Sequence, residues 1–169
     1  MSFRSVLIVL LCLAVSACGF RPLYGDFQKG SPGGKFLEIE VDSTKDREGQ
    51  ILRSELIRQL HQGHAVGRPV YRLVTELTES KSSLAVRKSA FATRANLTMI
   101  GNFRLYTLKD SFLAYSSTSR VTVSFNILDS EFASLLAEKN ARERAVRELS
   151  QDIRLRLGSY FDREAAEGR

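Results

Sequence analysis

Two long segments of alternating apolar and polar residues, joined by a short polar turn, constrain the fold of this chain most strongly. In residues 91–108 the odd positions are mostly apolar and the even positions mostly polar, and residues 112–127 repeat the alternation. A period of two places successive side chains on opposite faces of a strand. Lys109, Asp110 and Ser111 predict a tight hairpin turn between them. The two segments therefore predict antiparallel strands with one buried and one wet face, and Gly101 predicts a bulge or bend.

The residues before this hairpin predict two further strands and a helix. Residues 36–41 and 69–79 alternate in the same way, and residues 80–89 read as a polar connection. Between the two strands, Ile51, Leu52, Leu56, Ile57 and Leu60 form an apolar stripe at helical spacing. These residues predict a helix over residues 47–62, with an N-cap at position 46 and a stop at the glycine in position 63.

A long helix is predicted to close the chain, over residues 131–160. Asp129 or Ser130 is the expected N-cap, and residues 164–169 are expected to fray. The apolar residues predicted to line one side of this helix are Phe132, Leu135, Leu136, Val146, Leu149, Ile153, Leu157 and Tyr160. The arginines of the helix fall mostly off that stripe, which predicts a solvated face.

These elements together predict an α+β fold. The order is β-α-β-β-β-α, and each helix has one apolar stripe while the sheet has one apolar face. Such elements satisfy each other as a two-layer sandwich, a four-stranded mixed sheet with two helices on one face. The strands joined by short turns are expected to be antiparallel, and the strand-helix-strand start fits a parallel crossover.

The first residues of the chain predict export and a lipid anchor. Arg4 precedes an apolar run of ten residues from Val6 to Val15, and small residues then lead to Cys18. This is the layout of a lipoprotein signal peptide, and the run is shorter than the roughly 20 residues that span a bilayer. The chain therefore divides into a signal peptide (residues 1–17), a lipidated N-terminus and linker (residues 18–35) and a single domain (residues 36–169).

Export changes what the composition implies. Cleavage removes Arg4 and Cys12, so the mature chain has a net charge of +5 instead of +6, and its one cysteine is the acylated Cys18. No thiol is then left for a disulfide or a metal site. Basic proteins often bind nucleic acid, but export excludes that partner and favours lipid headgroups, lipopolysaccharide or other anionic glycans. Gly19, where an aspartate would mark inner-membrane retention, favours sorting to the outer membrane.

The sequence offers little catalytic chemistry. His61 and His64 are either half of a metal site or two solvated residues near a helix end, and the shortage of further ligands favours the second interpretation. No Gly-x-Ser-x-Gly motif occurs. We therefore predict no enzyme, no catalytic residue, no metal and no cofactor beyond the covalent acyl chain (palmitate) and diacylglycerol on Cys18.

Four arginines fall on the polar faces of the predicted strands. Arg72, Arg94, Arg104 and Arg120 all lie opposite the apolar positions of their segments. Guanidinium groups bind phosphate in a bidentate manner, so the four form a candidate lipopolysaccharide site. Solvated charges that keep a wet sheet face soluble are the alternative.

The mature N-terminus carries a family resemblance. Residues 18–25 read CGFRPLYG, and the closing helix contains the segment ARERAVREL from Ala141 to Leu149. Both segments, together with the element order, resemble the lipopolysaccharide-assembly lipoproteins of the LptE family, in the form found in alphaproteobacteria. The resemblance covers essentially the whole mature chain.

The resemblance implies a non-catalytic transport subunit. Members of this family sit largely within the lumen of the outer-membrane barrel LptD, as a plug and assembly partner, and the pair delivers lipopolysaccharide to the outer leaflet. It thus implies an outer-membrane location facing the periplasm, with the LptD barrel, lipopolysaccharide and membrane lipid as partners. A free-standing envelope lipoprotein that binds glycan or lipid without a barrel is the alternative, and a periplasmic hydrolase is a third. The four arginines are proposed from the residues themselves and are not carried over from the family.

Overall fold

The computed structural model describes residues 32–44, 46–65, 67–84 and 94–168. Within these ranges a four-stranded sheet carries a long C-terminal helix and two shorter helices. The elements in chain order are α1 (Pro32–Phe36), β1 (Ile39–Val41), α2 (Arg47–His61), β2 (Tyr71–Leu84), β3 (Arg94–Thr107), β4 (Leu113–Asn126) and α3 (Glu131–Glu167).

The sheet has the strand order β1-β2-β3-β4, with β1 parallel to β2 and the other pairs antiparallel. Odd-numbered residues of β2 and β3 face the helices, and even-numbered residues face away. The predicted α+β fold, with its four-stranded mixed sheet and helices on one face, is confirmed. The short helix α1 is the addition to the predicted order.

The hydrophobic core lies between the sheet and the helices. Leu97, Met99 and Leu105 of β3 are fully buried, as are Leu149 and Ile153 of α3. Helix α2 covers the end of the sheet next to β1 with its three leucines Leu52, Leu56 and Leu60. These three leucines are spaced four residues apart and therefore lie on one face of the helix, which is buried along its length.

Helix α2 begins and ends close to where the sequence predicts. A carboxylate oxygen of Asp46 accepts a hydrogen bond from the backbone N–H of Gly49 at 3.2 Å, which caps the first turn. The backbone at Gln62 has a φ of 48° and at Gly63 a φ of 80°, both left-handed. The helix therefore ends one residue earlier than expected, and the predicted Asp46 cap is confirmed.

The start of the domain differs from the predicted strand over residues 36–41. Phe36 ends helix α1, and β1 begins only at Ile39. The Phe36 ring is 1% exposed and packs edge-on against Phe161 at a centroid distance of 6.2 Å. Packing against α3 therefore draws Phe36 out of the strand, which local alternation does not reveal. At the other end of the sheet, β2 runs on to Leu84 through the predicted connection because β3 pairs with it over its full length.

Helix α3 is longer than predicted, and only part of its predicted apolar stripe is buried. Val146, Leu149, Ile153 and Leu157 are buried as expected, but Phe132, Leu135 and Leu136 are 77%, 61% and 48% exposed. Further along, the small residues Ala141 and Ala145, the eleventh and fifteenth of the helix, are fully buried instead. Leu136 lies nine residues before Ala145, which at 3.6 residues per turn is half a turn out of phase. The predicted single stripe is therefore wrong for the first turns.

Polar contacts on both the β2 side and the β4 side fasten α3 to the sheet. The guanidinium of Arg142 donates two hydrogen bonds, of 2.8 and 2.7 Å, to the carboxylate of Glu79 in β2 and a third, of 3.1 Å, to Glu138. On the β4 side, the buried Ser119 hydroxyl donates to Asp152 at 2.5 Å. The hydrogen bonds to Glu79 raise the pKa of Arg142. This arginine is thus part of the packing between helix and sheet, and the prediction that the helix arginines form a merely solvated face does not hold for it.

Candidate functional site

The face of the sheet that points away from the helices is the most distinctive surface of the molecule. We call it the open face and define it as the even-numbered residues of β2, β3 and β4. All three helices pack elsewhere, so the open face is covered by no described element. Its uncharged polar residues are Thr78, Ser80, Ser82, Asn96, Thr98, Asn102, Ser116, Thr118, Thr122, Ser124 and Asn126.

Cross-strand hydrogen bonds order the polar side chains of the open face. The hydroxyl of Thr118 donates to the amide oxygen of Asn102 at 2.7 Å, and Ser124 donates to Asn96 at the same distance. The hydroxyls of Thr98 and Thr122 lie 3.0 Å apart. Each pair consists of residues directly opposite in the β3–β4 register, where the side chains are close enough to bond. The three pairs form a polar ladder along the hairpin.

The four arginines of the sequence analysis all lie on the open face but do not form one patch. Arg104 sits opposite Val74, next to Tyr106, which is itself opposite Arg72. Arg72 and Arg104 are therefore diagonal neighbours. Arg120 lies further along, opposite Ile100. Arg94 is ten residues from Arg104 on β3, about 33 Å at the rise of a strand.

The four arginines also differ in their electrostatic surroundings. Arg104 forms an ion pair with Glu76 across the β2–β3 ladder, at 2.6 Å. A hydrogen bond with Tyr106 and the charge of Glu76 raise the pKa of Arg104. Arg72, Arg94 and Arg120 are exposed and form no ion pair with a described residue. These three are the arginines of the open face that are available to an anionic partner.

The histidine pair does not match the preferred sequence interpretation. His61 is only 6% exposed, and its Nε2 lies 3.1 Å from the backbone oxygen of Ile39 in β1. The end of α2 is tucked against β1, so the prediction of a solvated His61 is wrong. His64 is exposed. Among the residues that the structure describes, no group of three His, Cys, Asp or Glu side chains is placed to hold a metal ion.

The predicted anchor lies outside the described residues. These begin at Pro32, so the signal peptide, Cys18 and most of the predicted linker stay predictions. In the described ranges no helix combines the length and the apolar character needed to cross a bilayer. The first described residue follows Cys18 by fourteen positions.

Comparison with protein families gives a match over most of the chain. A family model described as LptE, lipopolysaccharide-assembly, matches residues 36–157, which extend from the end of α1 into the last third of α3. The match includes all four strands of the sheet. A search of curated proteins gave no match.

Solved structures of three bacterial proteins share the fold. A protein from Caulobacter crescentus that is named as a lipoprotein superposes with a TM-score of 0.64 at 24% identity, over 79% of this chain and 96% of its own. A minor lipoprotein from Acinetobacter baumannii gives a TM-score of 0.55 at 16% identity, with 72% and 88% covered. Lipoprotein B from Nitrosomonas europaea gives 0.55 at 16% identity, with 73% and 82% covered. At these identities the likeness concerns the fold.

Proposed function

We propose that this chain, which belongs to the LptE lipopolysaccharide-assembly family, is an outer-membrane lipoprotein that plugs an LptD-type β-barrel. Acyl chains on Cys18 hold it at the membrane, and the folded body occupies the barrel lumen from the periplasmic side. The pair delivers lipopolysaccharide to the outer leaflet, and this subunit carries out no chemistry. The family match that the mature N-terminus and element order predicted is confirmed, and it is the premise of this proposal.

The open face is the observation that carries the barrel partnership. A docked plug must match the wall of a water-filled lumen, which in outer-membrane barrels is polar. The polar ladder offers donors and acceptors without large desolvation costs, because none of its side chains is charged: Asn96, Thr98, Asn102, Thr118, Thr122 and Ser124. Uncharged polar groups that are already held in place lose little conformational entropy when a partner binds. The open face therefore suits a polar protein wall better than an apolar groove or a membrane core.

The hydrogen bonds around the buried hydroxyl of Ser119 support a non-catalytic role for the protein. Ser119 donates its hydrogen bond to Asp152, whose carboxylate also accepts from Arg156 at 2.7 Å. A serine nucleophile needs a base that takes its proton, and a carboxylate held by an arginine is a poor base. The contact instead fastens β4 to α3. The structural evidence thus favours an assembly subunit over a hydrolase.

Site-specific crosslinking in the native envelope tests the partnership. We place a photo-crosslinking amino acid at Thr118 on the open face or, as the matched control, at Leu155 on the exposed side of α3, 43% exposed. A C-terminal tag then allows purification in mild detergent. We expect a covalent adduct with an outer-membrane barrel from position 118 and little or none from position 155.

Two results would count against the partnership. Absence of any co-purified barrel would favour the free-standing lipoprotein that binds glycan or lipid by itself. Adducts of equal yield from both positions would show that the open face is not the docking surface. Either result leaves the family assignment intact, because that assignment rests on the sequence match over residues 36–157.

A second part of the proposal is direct lipopolysaccharide contact through the arginines Arg72, Arg94, Arg104 and Arg120. We expect the double reversal Arg94→Glu with Arg120→Glu to weaken lipopolysaccharide binding by about fivefold per site, since an exposed charge pair contributes up to about 1 kcal/mol. These two are chosen because neither has an ion-pair partner among the described residues, whereas a reversed Arg104 would face Glu76. Binding is measured at low salt, where screening is weakest.

Reversal of Arg147 on α3 is the control for this experiment. Arg147 is also exposed, but it lies on the helical layer. We expect Arg147→Glu to bind lipopolysaccharide as the native chain does. Equal affinity of the double variant and the control would mean that the arginines of the open face serve solubility alone.

A further inference from the structure

One end of the molecule combines exposed apolar side chains with exposed basic side chains. We call it the hairpin tip and define it as residues 68–70 together with the β3–β4 turn, residues 108–113. Phe112 is 66% exposed, and Val70 and Leu113 are each 43% exposed. The backbone N–H of Leu108 donates to the carbonyl of Val70 at 2.8 Å, so the two segments of the tip lie side by side.

The turn holds Phe112 in place. Asp110 accepts hydrogen bonds from the Thr107 hydroxyl and from the backbone N–H of Phe112, the latter at 3.2 Å. The N–H of Thr107 donates to the carbonyl of Phe112 at 2.9 Å, and Ser111 takes a left-handed φ of 56°. With the backbone fixed on both sides, the exposed ring is a constant feature of the turn. Together with the exposed Val70 and Leu113, the ring gives this end of the molecule an apolar surface of the kind that marks interaction sites.

Basic and aromatic side chains border the apolar residues of the tip. Arg68, Arg72 and Lys109 are exposed and form no ion pair with a described residue. Tyr106 lies opposite Leu113 in the β3–β4 register. Tyrosines and basic residues around an apolar centre are typical of protein surfaces at a lipid–water interface. The exposed carboxylate of Asp110 is engaged by the hydrogen bonds of the turn, and the three basic side chains outnumber this one acid, so the border of the tip has a positive excess.

The described chain begins at the same end of the molecule. Phe36 of α1 packs on Phe161 near the end of α3, and the ammonium of Lys35 lies 5.6 Å from the centre of the Tyr71 ring. Tyr71 directly follows Val70 of the tip. Pro32 follows Cys18 by fourteen positions, a span of at most about 50 Å when fully extended. A lipid on Cys18 therefore favours this end as the one nearer the bilayer, since the opposite end, about 46 Å away along the fourteen-residue strands, comes within reach only when the linker is almost fully extended.

We propose that the hairpin tip is a second membrane contact, in which Val70, Phe112 and Leu113 enter the phospholipid surface that holds the anchor. Arg68, Arg72 and Lys109 then face the lipid phosphates. The proposal rests on the lipid anchor of the proposed function, because one anchor holds a membrane surface within reach of the tip.

A second exposed apolar cluster provides the internal control. It comprises Leu128, Phe132, Leu135 and Leu136. It lies at the opposite end of the sheet, where β4 ends at Asn126 opposite Arg94, and Glu131 and Asp129 are beside it. This cluster is bordered by Asp129 and Glu131 as well as by the basic residues Arg94 and Lys139, so its border has no positive excess, and it is remote from the start of the described chain. It is therefore not expected to enter an anionic bilayer.

The experiment uses the absence of tryptophan from the chain. The lipidated full-length protein carrying Phe112→Trp is reconstituted into vesicles of phosphatidylethanolamine and phosphatidylglycerol, and Phe132→Trp is the matched control. We expect the emission of the tryptophan at position 112 to shift to shorter wavelength in vesicles and to be quenched by lipids with brominated acyl chains. We expect the emission of the tryptophan at position 132 to keep the longer wavelength of a water-exposed indole and not to be quenched by the brominated lipids. Adding Arg68→Glu and Lys109→Glu should reduce the shift at position 112.

Flotation of the same samples separates the two proposals. Vesicles that carry the protein, with a shifted and quenched emission at position 112 alone, support the tip contact. Flotation with equal, unshifted emission from both positions overturns the tip contact and leaves the anchor standing. Flotation with quenching at both positions also overturns it, because insertion would then not be specific to the tip. Protein that stays at the bottom of the gradient overturns the anchor and the tip contact together.

Discussion

Replacing Phe103 by alanine is expected to lower the free energy of unfolding by about 3–5 kcal/mol, the usual cost of removing a buried aromatic ring. Phe103 stands in the middle of the sheet on β3 and is 1% exposed. Its ring packs against Tyr115 of β4 at a centroid distance of 5.9 Å and an angle of 62°, an edge-to-face contact that adds to the apolar area it buries. Residues 36–169 contain no cysteine, so no disulfide within this domain compensates for the lost packing.

The loss is large relative to the whole stability of a domain of this size, which is about 5–15 kcal/mol. Equilibrium unfolding in urea measures it, as a shift of the midpoint at constant slope. Phe132→Ala is the control, because it removes the same atoms from a ring that is 77% exposed. We expect the control to change the stability by less than about 0.5 kcal/mol. Similar losses for both variants would contradict the assignment of Phe103 to the core and Phe132 to the surface.

The contrast between these two phenylalanines shows what the sequence can predict about this fold. Alternation in residues 91–108 and 112–127 identifies the buried face of the hairpin because burial of β3 and β4 repeats with the strand period. The same reasoning places Phe132 on the buried side of α3, and this is wrong. A helical stripe shows that apolar residues share a face, but which face meets the sheet depends on Ala141 and Ala145, whose small side chains let the helix approach. That choice is made by tertiary packing.

The burial of Phe36 and of His61 departs from the sequence-based prediction for the same reason. Phe36 is not part of β1 because its ring packs against Phe161 of α3. His61 is buried because the carbonyl of Ile39 accepts its hydrogen bond. Each partner is distant in sequence, so no local window contains the information. Helix α2, by contrast, was predictable to within one residue because its cap at Asp46 and its leucines are local signals.

The polar ladder of the open face was more predictable than the arginine site. Asn102 and Thr118 are each eight residues from Asp110, and Thr98 and Thr122 are each twelve residues from it. A hairpin centred on that turn residue pairs them directly, as the register shows. The distribution of the arginines required the pairing of β2 with β3 as well, across the gap between residues 84 and 94. The register of β3 with β4 is fixed by a short turn, so paired residues can be found by counting outward from that turn. The register of β2 with β3 spans a long connection and cannot be found in this way.

Gly101 is structurally important, as the sequence predicts, but not because of a bulge or bend. A bulge or bend was predicted there, but Gly101 pairs regularly with Leu77 and Ser119, and the irregularity lies at Leu105 and Tyr106. Gly101 is buried, and a β-carbon added to it would lie 3.1 Å from a methyl carbon of Leu149. The glycine therefore makes room for α3 to pack closely on the centre of the sheet.

Replacing Gly101 by valine is accordingly expected to destabilise the fold by about 1–3 kcal/mol through overpacking. The expectation opposes local propensity, because valine is preferred over glycine in strands. Urea unfolding measures the effect, with Gly67→Val as the control, since the nearest atom to an added β-carbon there is 3.9 Å away. We expect the control to change stability by less than about 0.5 kcal/mol.

A double-mutant cycle with Leu149→Ala identifies the cause of this effect. Alone, Leu149→Ala leaves a cavity and should cost about 2–5 kcal/mol. Combined with Gly101→Val, the new methyl groups occupy part of that cavity, so the two costs should fall short of their sum by about 0.5–3 kcal/mol. Strict additivity would mean that the two positions do not share space, and the close approach of α3 to β3 at Gly101 would then not be what requires a glycine. Compensation would show that this contact fixes the distance of α3 from the sheet, and with it the rigid support behind the open face.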